Sequence, residues 1–410
     1  MLPVTMIAQI STFPGQTPGI CAFNPSFREA LNLSHSQLTG VYMVGSFLAC
    51  LPMFAVGVLM DRYGIRRTMA CVVTLFGGAC VFTSQVTNLL TLGVAFLMLR
   101  TLGQGALMLL SDNTLPMWFH ARLGIVSGLK GWAWPIAIFL VPGFALWLIN
   151  TYGWRWAYAV LGIIVWATML PLLVLVFRNR PEDIGQIIDG GLKQDTAGKS
   201  QCKEGERSPL VEMELRDAMR SRAYWITLGL CATTSMIGTG IFFNIFPLFE
   251  SLGRSERETV TAMSLFAASM FVMQLVGGLL ADFIRLDRLM SLGVALLAVA
   301  LALLVNSHTA YAAQGFALIY GAGDGLLVVI GGTIWARYFG RAHLGKIRSS
   351  VWMAVVAGSS IGPFILGATY DYFGRYDPAL WLFMLLYASF MVTTLFATPP
   401  KFPDNRVAAR

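Results

Sequence analysis

Charge is what this sequence has least of. Only 12% of its 410 residues are Asp, Glu, Lys or Arg, against about a quarter in soluble globular chains. Histidine is scarcer still, and His35, His120, His308 and His343 stand far apart. The six cysteines are scattered, five of them (Cys21, Cys50, Cys71, Cys80 and Cys231) in or beside apolar segments. None has metal-ligand spacing, and no disulfide framework is expected. Phosphate-binding glycine loops, zinc motifs and nucleophile–base spacings are missing. A membrane-embedded enzyme or sensor therefore finds no support, and no cofactor or metal is expected. No basic patch carries interleaved aromatics, so the net charge of +8 does not point to nucleic acid. No cleavable signal peptide is evident; Met1 leads straight into apolar sequence, and the first span is expected to act as its own insertion signal.

What the chain has is apolar length: 56% of its residues are hydrophobic. Crossing a bilayer takes about 20 apolar residues, and only helices or closed barrels satisfy their backbone in hydrocarbon. The runs here are continuous rather than alternating, which selects helices. The expected spans are 2–23, 38–60, 68–88, 90–114, 124–149, 155–177, 223–248, 258–281, 288–306, 311–336, 346–370 and 379–397. The chain then divides into a six-helix half at 1–177, a linker at 178–222, a second six-helix half at 223–398 and a tail at 399–410. The linker is rich in charges of both signs and in Gly, Ser and Gln. It reads as a flexible cytoplasmic connection with a surface helix near Glu212–Arg220.

Arg62, Arg66, Arg67, Arg122, Arg285, Arg288, Arg337, Arg341, Lys346 and Arg348 are expected in loops on one side. The other side holds Arg28, Arg155, Arg254, Arg257 and Arg375. The positive-inside rule then puts both termini in the cytoplasm of a cell whose inner membrane the chain spans many times.

The halves repeat. Shifting the first by 220 or 221 residues brings Gly57 and Leu59 onto Gly277 and Leu279, and Asp61 onto Asp282. Gly103-Gln104-Gly105 meets Gly323-Asp324-Gly325, and Leu123-Gly124 meets Leu344-Gly345. Pro142 meets Pro363, and Tyr152-Gly153 meets Phe373-Gly374. A parallel repeat of this kind places a substrate site near the midplane between the halves. The fold class is an all-α membrane protein of twelve transmembrane helices in two pseudo-symmetric halves.

Charges inside spans are costly and face cavities or partners. Asp324 sits mid-span between two glycines, as does its repeat mate Gln104, and Arg100 lies one helical turn from Gln104. Desolvation favours the protonated form of a carboxylate, so Asp324 is the expected proton-coupling group and Arg100 the anion-binding or charge-balancing cation. The alternative is an Arg100–Asp324 pair, or separate polar contacts, that only lock the halves. Lys130 could line the inner vestibule or snorkel to the interface. Thr5, Gln9, Thr12 and Gln16 share one face of span one, as cavity lining or as interhelical hydrogen bonds. Pro14 and Pro18 interrupt that helix. Asn244, Tyr42 and Tyr320 are further candidates. Trp132 and Trp352, repeat mates, read as packing or as an aromatic gate.

The loop Gly57-Val58-Leu59-Met60-Asp61-Arg62-Tyr63-Gly64-Ile65-Arg66-Arg67 resembles the signature G-x-L-x-D-R-x-G-x-R-R of the major facilitator superfamily at every fixed position. Arg100-Thr101-Leu102-Gly103-Gln104-Gly105 is similar to that family's fourth-helix arginine motif. Trp118-Phe119 through Gly124, Gly153-Trp154-Arg155-Trp156 and Tyr338-Phe339-Gly340-Arg341 through Leu344-Gly345 resemble one bacterial branch, the monocarboxylate-transporter-like and oxalate/formate-exchanger-like proteins. The resemblance implies a proton-coupled secondary transporter of a small organic anion, working by alternating access; a monomer is expected. That branch often carries a carboxylate-binding arginine in span eight. Val260–Ala281 has none, and Gln274 is its most polar residue.

The resemblance also implies a conformational latch. Asp112 would pair with Arg66, and Asp61 would approach the N-terminus of span eleven, where the helix dipole favours an anion. Gly57, Arg62, Gly64 and Arg67 complete that loop. The second copy, Gly277 to Arg288, is eroded by Ile284 and Leu286, so asymmetric latching is expected. The alternative function is a proton-coupled efflux antiporter for drugs or other amphipathic metabolites. Drug antiporters of the family carry a glycine–proline motif in span five, where this chain has Val141-Pro142-Gly143.

Overall fold

A peptide group in hydrocarbon must find its hydrogen-bond partner within its own segment, so each apolar run closes into a helix. The computed structural model describes residues 1–33, 35–120, 122–185, 213–306, 310–341 and 343–400. Most of the 178–222 linker, all but two residues of the 399–410 tail, and His308 lie outside them.

The first span is broken into α1 (Leu2–Ser11), a 3₁₀ turn (Phe13–Gly15) and α2 (Thr17–Cys21). Pro14 and Pro18 cannot donate to a helical ladder, and Gln16 between them is extended (φ −87°, ψ 154°). Next come α3 (Asn24–Leu31), α4 (His35–Leu48), α5 (Met53–Tyr63) and α6 (Ile65–Ser84). Span four joins α7 (Leu89–Leu99) to α8 (Met108–Trp118) through a π-helical run, Arg100–Leu107. After α9 (Leu123–Gly131), α10 (Ala133–Leu175) makes two passes by folding back at Gly153 (φ 82°, ψ 158°). The second half holds α11 (Leu215–Ala218), α12 (Arg222–Phe243), α13 (Ile245–Ser251), α14 (Glu256–Phe283) and α15 (Leu286–Val305). It closes with α16 (Ala310–Phe339), α17 (Leu344–Phe373) and α18 (Asp377–Thr393).

Among the described residues, ten stretches are long and apolar enough to cross a bilayer. One of them, the 53-residue stretch Leu123–Leu175, counts twice because of the Gly153 turn. The segmented first span supplies the twelfth pass of the 12-helix fold. The surface helix expected near Glu212–Arg220 is a single turn, α11.

Within the first half α6 and α1 pack on α10, and α4 on α7; within the second, α14 and α15 flank α16, and α12 packs on α17. The halves meet where α9 lies against α14 and α16, and where α5 and α4 lie against α17. Exposed apolar side chains such as Leu140, Trp156, Leu175 and Leu385 cover outer faces suited to lipid. We call the end of the bundle that carries Asp61 to Arg67 the basic end. Seven of the ten cations expected in its loops lie in the end turns of helices instead: Arg62, Arg66, Arg67, Arg288, Arg337, Lys346 and Arg348, the last in the second turn of α17 and only 4% exposed.

Candidate functional site

At the basic end, two carboxylates cap helices of the opposite half. Asp61, near the end of α5, accepts the backbone N–H groups of Gly345 (3.0 Å) and Lys346 (2.9 Å) in the first turn of α17. Asp282, near the end of α14, accepts those of Gly124 (2.9 Å) and Ile125 (3.1 Å) in the first turn of α9. The first N–H groups of a helix have no partner of their own and carry the positive end of its dipole, so each carboxylate satisfies two donors and a field together. The approach demands glycine: a Cβ on Gly345 would sit 2.2 Å from Asp61 Oδ1, and one on Gly124 2.5 Å from Asp282 Oδ1. The second copy, expected to be eroded, therefore keeps the same cap. The substitutions at Ile284 and Leu286 fall beyond the helix end and leave Asp282 in place. What differs is a cation: Arg337 pairs with Asp282, whereas Met117 stands at the position 220 residues earlier.

Above this end lies a cavity of about 270 Å³ between the halves. Gln9, Asp112, Ser127 and Lys130 line it from the first half, and Thr227, Cys231, Asp324, Trp335, Arg348 and Trp352 from the second. Lys130 forms an ion pair with Asp112. Arg348 reaches the same residue from the other half, Nη2 to Oδ2 at 3.0 Å and Nη1 to the backbone oxygen at 3.0 Å, with a longer contact to Gly331 O at 3.4 Å. Two cations thus share one carboxylate across the interface. Asp324 lies on the cavity wall and makes no ion pair or hydrogen bond among the described residues. Gln9 Oε1 and Thr227 Oγ1, also in the wall, have no protein partner among the described residues.

A family model of the Major Facilitator Superfamily matches residues 5–253 and 228–410. The chain belongs to the Major Facilitator Superfamily. It is 23% identical over 345 residues to YhjX of Escherichia coli (strain K12), described as an uncharacterized MFS-type transporter, covering 82% of this chain and 80% of that one. Among solved structures it resembles the human organic anion transporter MFSD10, with a TM-score of 0.72 at 12% identity over 96% of this chain and 98% of the other. It also resembles the proton:xylose symporter XylE, with a TM-score of 0.69 at 16% identity over 97% and 95%. The E. coli fucose:proton symporter FucP gives 0.69 at 14% identity over 97% and 99%. These likenesses fix the fold. The relatives are transporters, not enzymes, and transporters of this kind work without a resident cofactor.

Within this superfamily fold, three of the eleven residues expected on the transport pathway line the cavity: Gln9, Lys130 and Asp324. Arg100 does not. It is fully buried on the side away from the basic end, donating to Thr17 Oγ1 (3.0 Å) and Ser359 Oγ (3.1 Å), with its guanidinium 5.4 Å from the Tyr42 ring centroid. The physical reason is depth: Met108, Asp112 and Leu115 are the residues of span four on the cavity wall, and Arg100 and Gln104 both lie farther from the basic end. Gln104, in the same π-helical run as Arg100, is buried, with its Oε1 unpartnered among the described residues.

Tyr42 hydrogen-bonds Thr17 (2.9 Å), and Tyr320 meets Tyr387 (3.4 Å) inside an aromatic cluster with Phe316. Asn244 caps α12 by donating to Gly240 O (3.0 Å). Thr5 and Thr12 bond to their own backbone, at Leu2 and Gln9, and Gln16 donates to Thr12 (3.1 Å). Gln274 is fully buried against Gly131, behind the cavity wall. Trp132 stacks on Phe271 at 4.4 Å, bridging the halves, and its mate Trp352 lines the cavity.

The Asp112–Arg66 pair is absent. Arg66 instead donates to Leu173 O (2.8 Å) and Val174 O (2.6 Å) near the end of α10, where unsatisfied carbonyls and the negative dipole end attract a cation. The side chain of Asn179 accepts the Arg66 N–H (2.8 Å) beside Gly64, whose φ of 84° makes the turn. Arg62 lies over the Tyr63 ring, and Arg67 is exposed. Gly57 packs against Gly345 O and Ser349, where its missing Cβ lets α5 meet α17.

Arg348 is a functional residue that the sequence reading leaves in a loop. Its signal was in the repeat: Leu123-Gly124 opens α9, so Leu344-Gly345 opens α17, which puts Arg348 one turn inside the helix.

Proposed function

We propose that this chain is a secondary active transporter that moves a small organic anion by alternating access, coupled to protons. One observation carries the reading: Lys130 and Arg348, from opposite halves, share the single carboxylate of Asp112 in the wall of the central cavity. Two cations and one anion leave a surplus of one positive charge. In a poorly solvated site such a charge is costly when uncompensated, so an anionic ligand is stabilised there. Because the ligand touches both halves, its binding and their rocking are linked. Asp324, in the same wall without an ionic partner, is the proposed proton acceptor. Size points the same way, since 270 Å³ falls below the range of about 300–1,000 Å³ of drug-sized pockets.

The two caps at the basic end are the proposed latches, closing this end and releasing it in turn. On this reading 1–177 and 223–398 rock as bodies joined by 178–222. The concentration of Arg and Lys at the basic end supports a cytoplasmic placement of that end and of both termini in a cell's inner membrane. The protein acts as a monomer, because each chain holds a complete site.

A second reading, proton-coupled efflux of amphipathic drugs or metabolites, draws on the apolar part of the wall. Met108, Met290, Trp335 and Trp352 lie there, and methionine-rich surfaces accept varied ligands. Proteoliposomes with an inward proton gradient separate the two. Uptake of lactate, pyruvate, oxalate or formate, lost in Asp324→Asn, is expected. Extrusion of a cationic dye with uptake of none of the acids overturns the first reading.

A further inference from the structure

We infer that Asp112 sets the valence of the transported anion: its carboxylate takes one of the two cationic positions and leaves the other for a monoanion. The inference rests on the anion-transport reading above and goes beyond it, because it assigns the charge that the substrate carries and the residue that selects it.

The argument is a count of charge at measured contacts. Lys130 touches Asp112 from α9, and Arg348 touches it from α17 at 3.0 Å. No further acid joins the three among the described residues. The cluster therefore carries a net charge of +1, which a monoanion cancels and a dianion overshoots. Both cations are largely withdrawn from water, with side chains 7% and 4% exposed, so residual charge is weakly screened and the mismatch is felt. Asp324 is also in the wall, but seven residues along α16 from Gly331, which contacts Arg348. Seven residues of helix rise about 10 Å. Asp324 thus belongs to a separate part of the cavity, and its contribution is the same in every variant below.

The geometry gives Asp112 a role that a structural ion pair lacks. A lock between halves needs one cation per carboxylate. Here one carboxylate is held by a cation from each half, so a ligand carboxylate can take over one of its partners without leaving Asp112 bare. Replacing Asp112 by the isosteric amide raises the cluster to +2 and makes it a site for two carboxylates.

The test is anion binding to the full-length protein in detergent, followed by fluorescence of Trp335 and Trp352, with pyruvate and lactate as monoanions and oxalate and malonate as dianions at neutral pH. In the wild type the monoanions bind more tightly. Asp112→Asn is expected to move the dianion-to-monoanion affinity ratio upward by about tenfold or more. Lys130→Met, which brings the cluster to zero, is expected to weaken both classes. Asp112→Asn combined with Lys130→Met returns the charge to +1 and is expected to restore the monoanion preference. An unchanged ratio in a folded Asp112→Asn protein overturns the inference. Should that variant fail to fold, the other two decide: wild-type binding in Lys130→Met, or no recovery in the folded double variant, overturns it equally. A wild type that binds none of the four acids but does bind a cationic dye defeats the anion-transport reading itself, which is a different failure.

Discussion

Asp61 and Asp282 are repeat mates, and at the basic end they make one contact twice: a carboxylate on the first turn of a helix in the other half. Higher in the bundle the halves stop matching. The first gives the cavity Asp112 and Lys130, the second Arg348 and Asp324. The repeat mate of Asp324, 220 residues earlier, is Gln104, and that of Arg348, by the 221-residue shift that joins Leu123-Gly124 to Leu344-Gly345, is Ser127. Rocking two similar bodies about a common axis asks for matched contacts where they close. Gripping a small anion with no such symmetry asks for unmatched walls. On the transport reading proposed above, the repeated residues serve the first and the unrepeated ones the second.

The comparison breaks first in the cavity. Arg348→Met removes the surplus charge while Lys130 keeps Asp112 paired, and is expected to weaken anion affinity by about 1.5–3 kcal/mol, the worth of hydrogen bonds to a charged group. Uptake kinetics read this directly, while the caps remain. Next come the glycines under the carboxylates. Gly345→Ala and Gly124→Ala each push a Cβ into an oxygen. Both are expected to slow transport about tenfold by loosening the closed end, a loss of about 1.4 kcal/mol. Labelling of Cys231, a thiol in the cavity wall, by a membrane-impermeant reagent applied at the basic end should rise in each.

Asp61→Asn against Asp282→Asn sharpens the one difference between the caps. Hydrogen bonds to a charged group are worth about 1.5–3 kcal/mol, so both variants turn over slowly with nearly unchanged substrate affinity. Asp282→Asn is expected to be the slower, because it also strands Arg337. A large affinity loss with normal turnover would remove both carboxylates from the latch. The smallest effect belongs to Arg66→Gln, which loses a helix-end contact of about 0.3–1 kcal/mol. A small drop in melting temperature with wild-type uptake is expected.

The fold was almost wholly legible. Apolar length gave the passes, the 220-residue shift gave the halves, and Gly57 to Arg67 gave the family. Asp61 on α17 was legible too, since signature and dipole agree. Arg348 was misplaced because it stands two residues from Lys346 in a basic run, and composition does not tell a loop arginine from one a turn inside a helix. The Asp112–Arg66 pairing follows from the family resemblance alone, and only packing shows that Lys130 and Arg348 are the cations that reach Asp112. Arg100 is a mid-span charge and so reads as cavity lining, but in span four the wall starts two turns nearer the basic end, at Met108, a depth that only packing shows.

That run, Arg100–Leu107, has an evolutionary consequence. A π-helical stretch holds a surplus residue that an ordinary helix would not accommodate, so it behaves as an insertion retained in the chain. Deleting one residue there, Ala106 for instance, is therefore expected to close the run into an ordinary helix with its two ends still in phase. Arg100 would keep Thr17 and Ser359, and Asp112 would keep Lys130 and Arg348. A deletion in the regular turns on either side has no such slack and would turn one end of span four against the other by about 100°, so the wide run is the one place in the span where chain length can change while the cavity wall stays put.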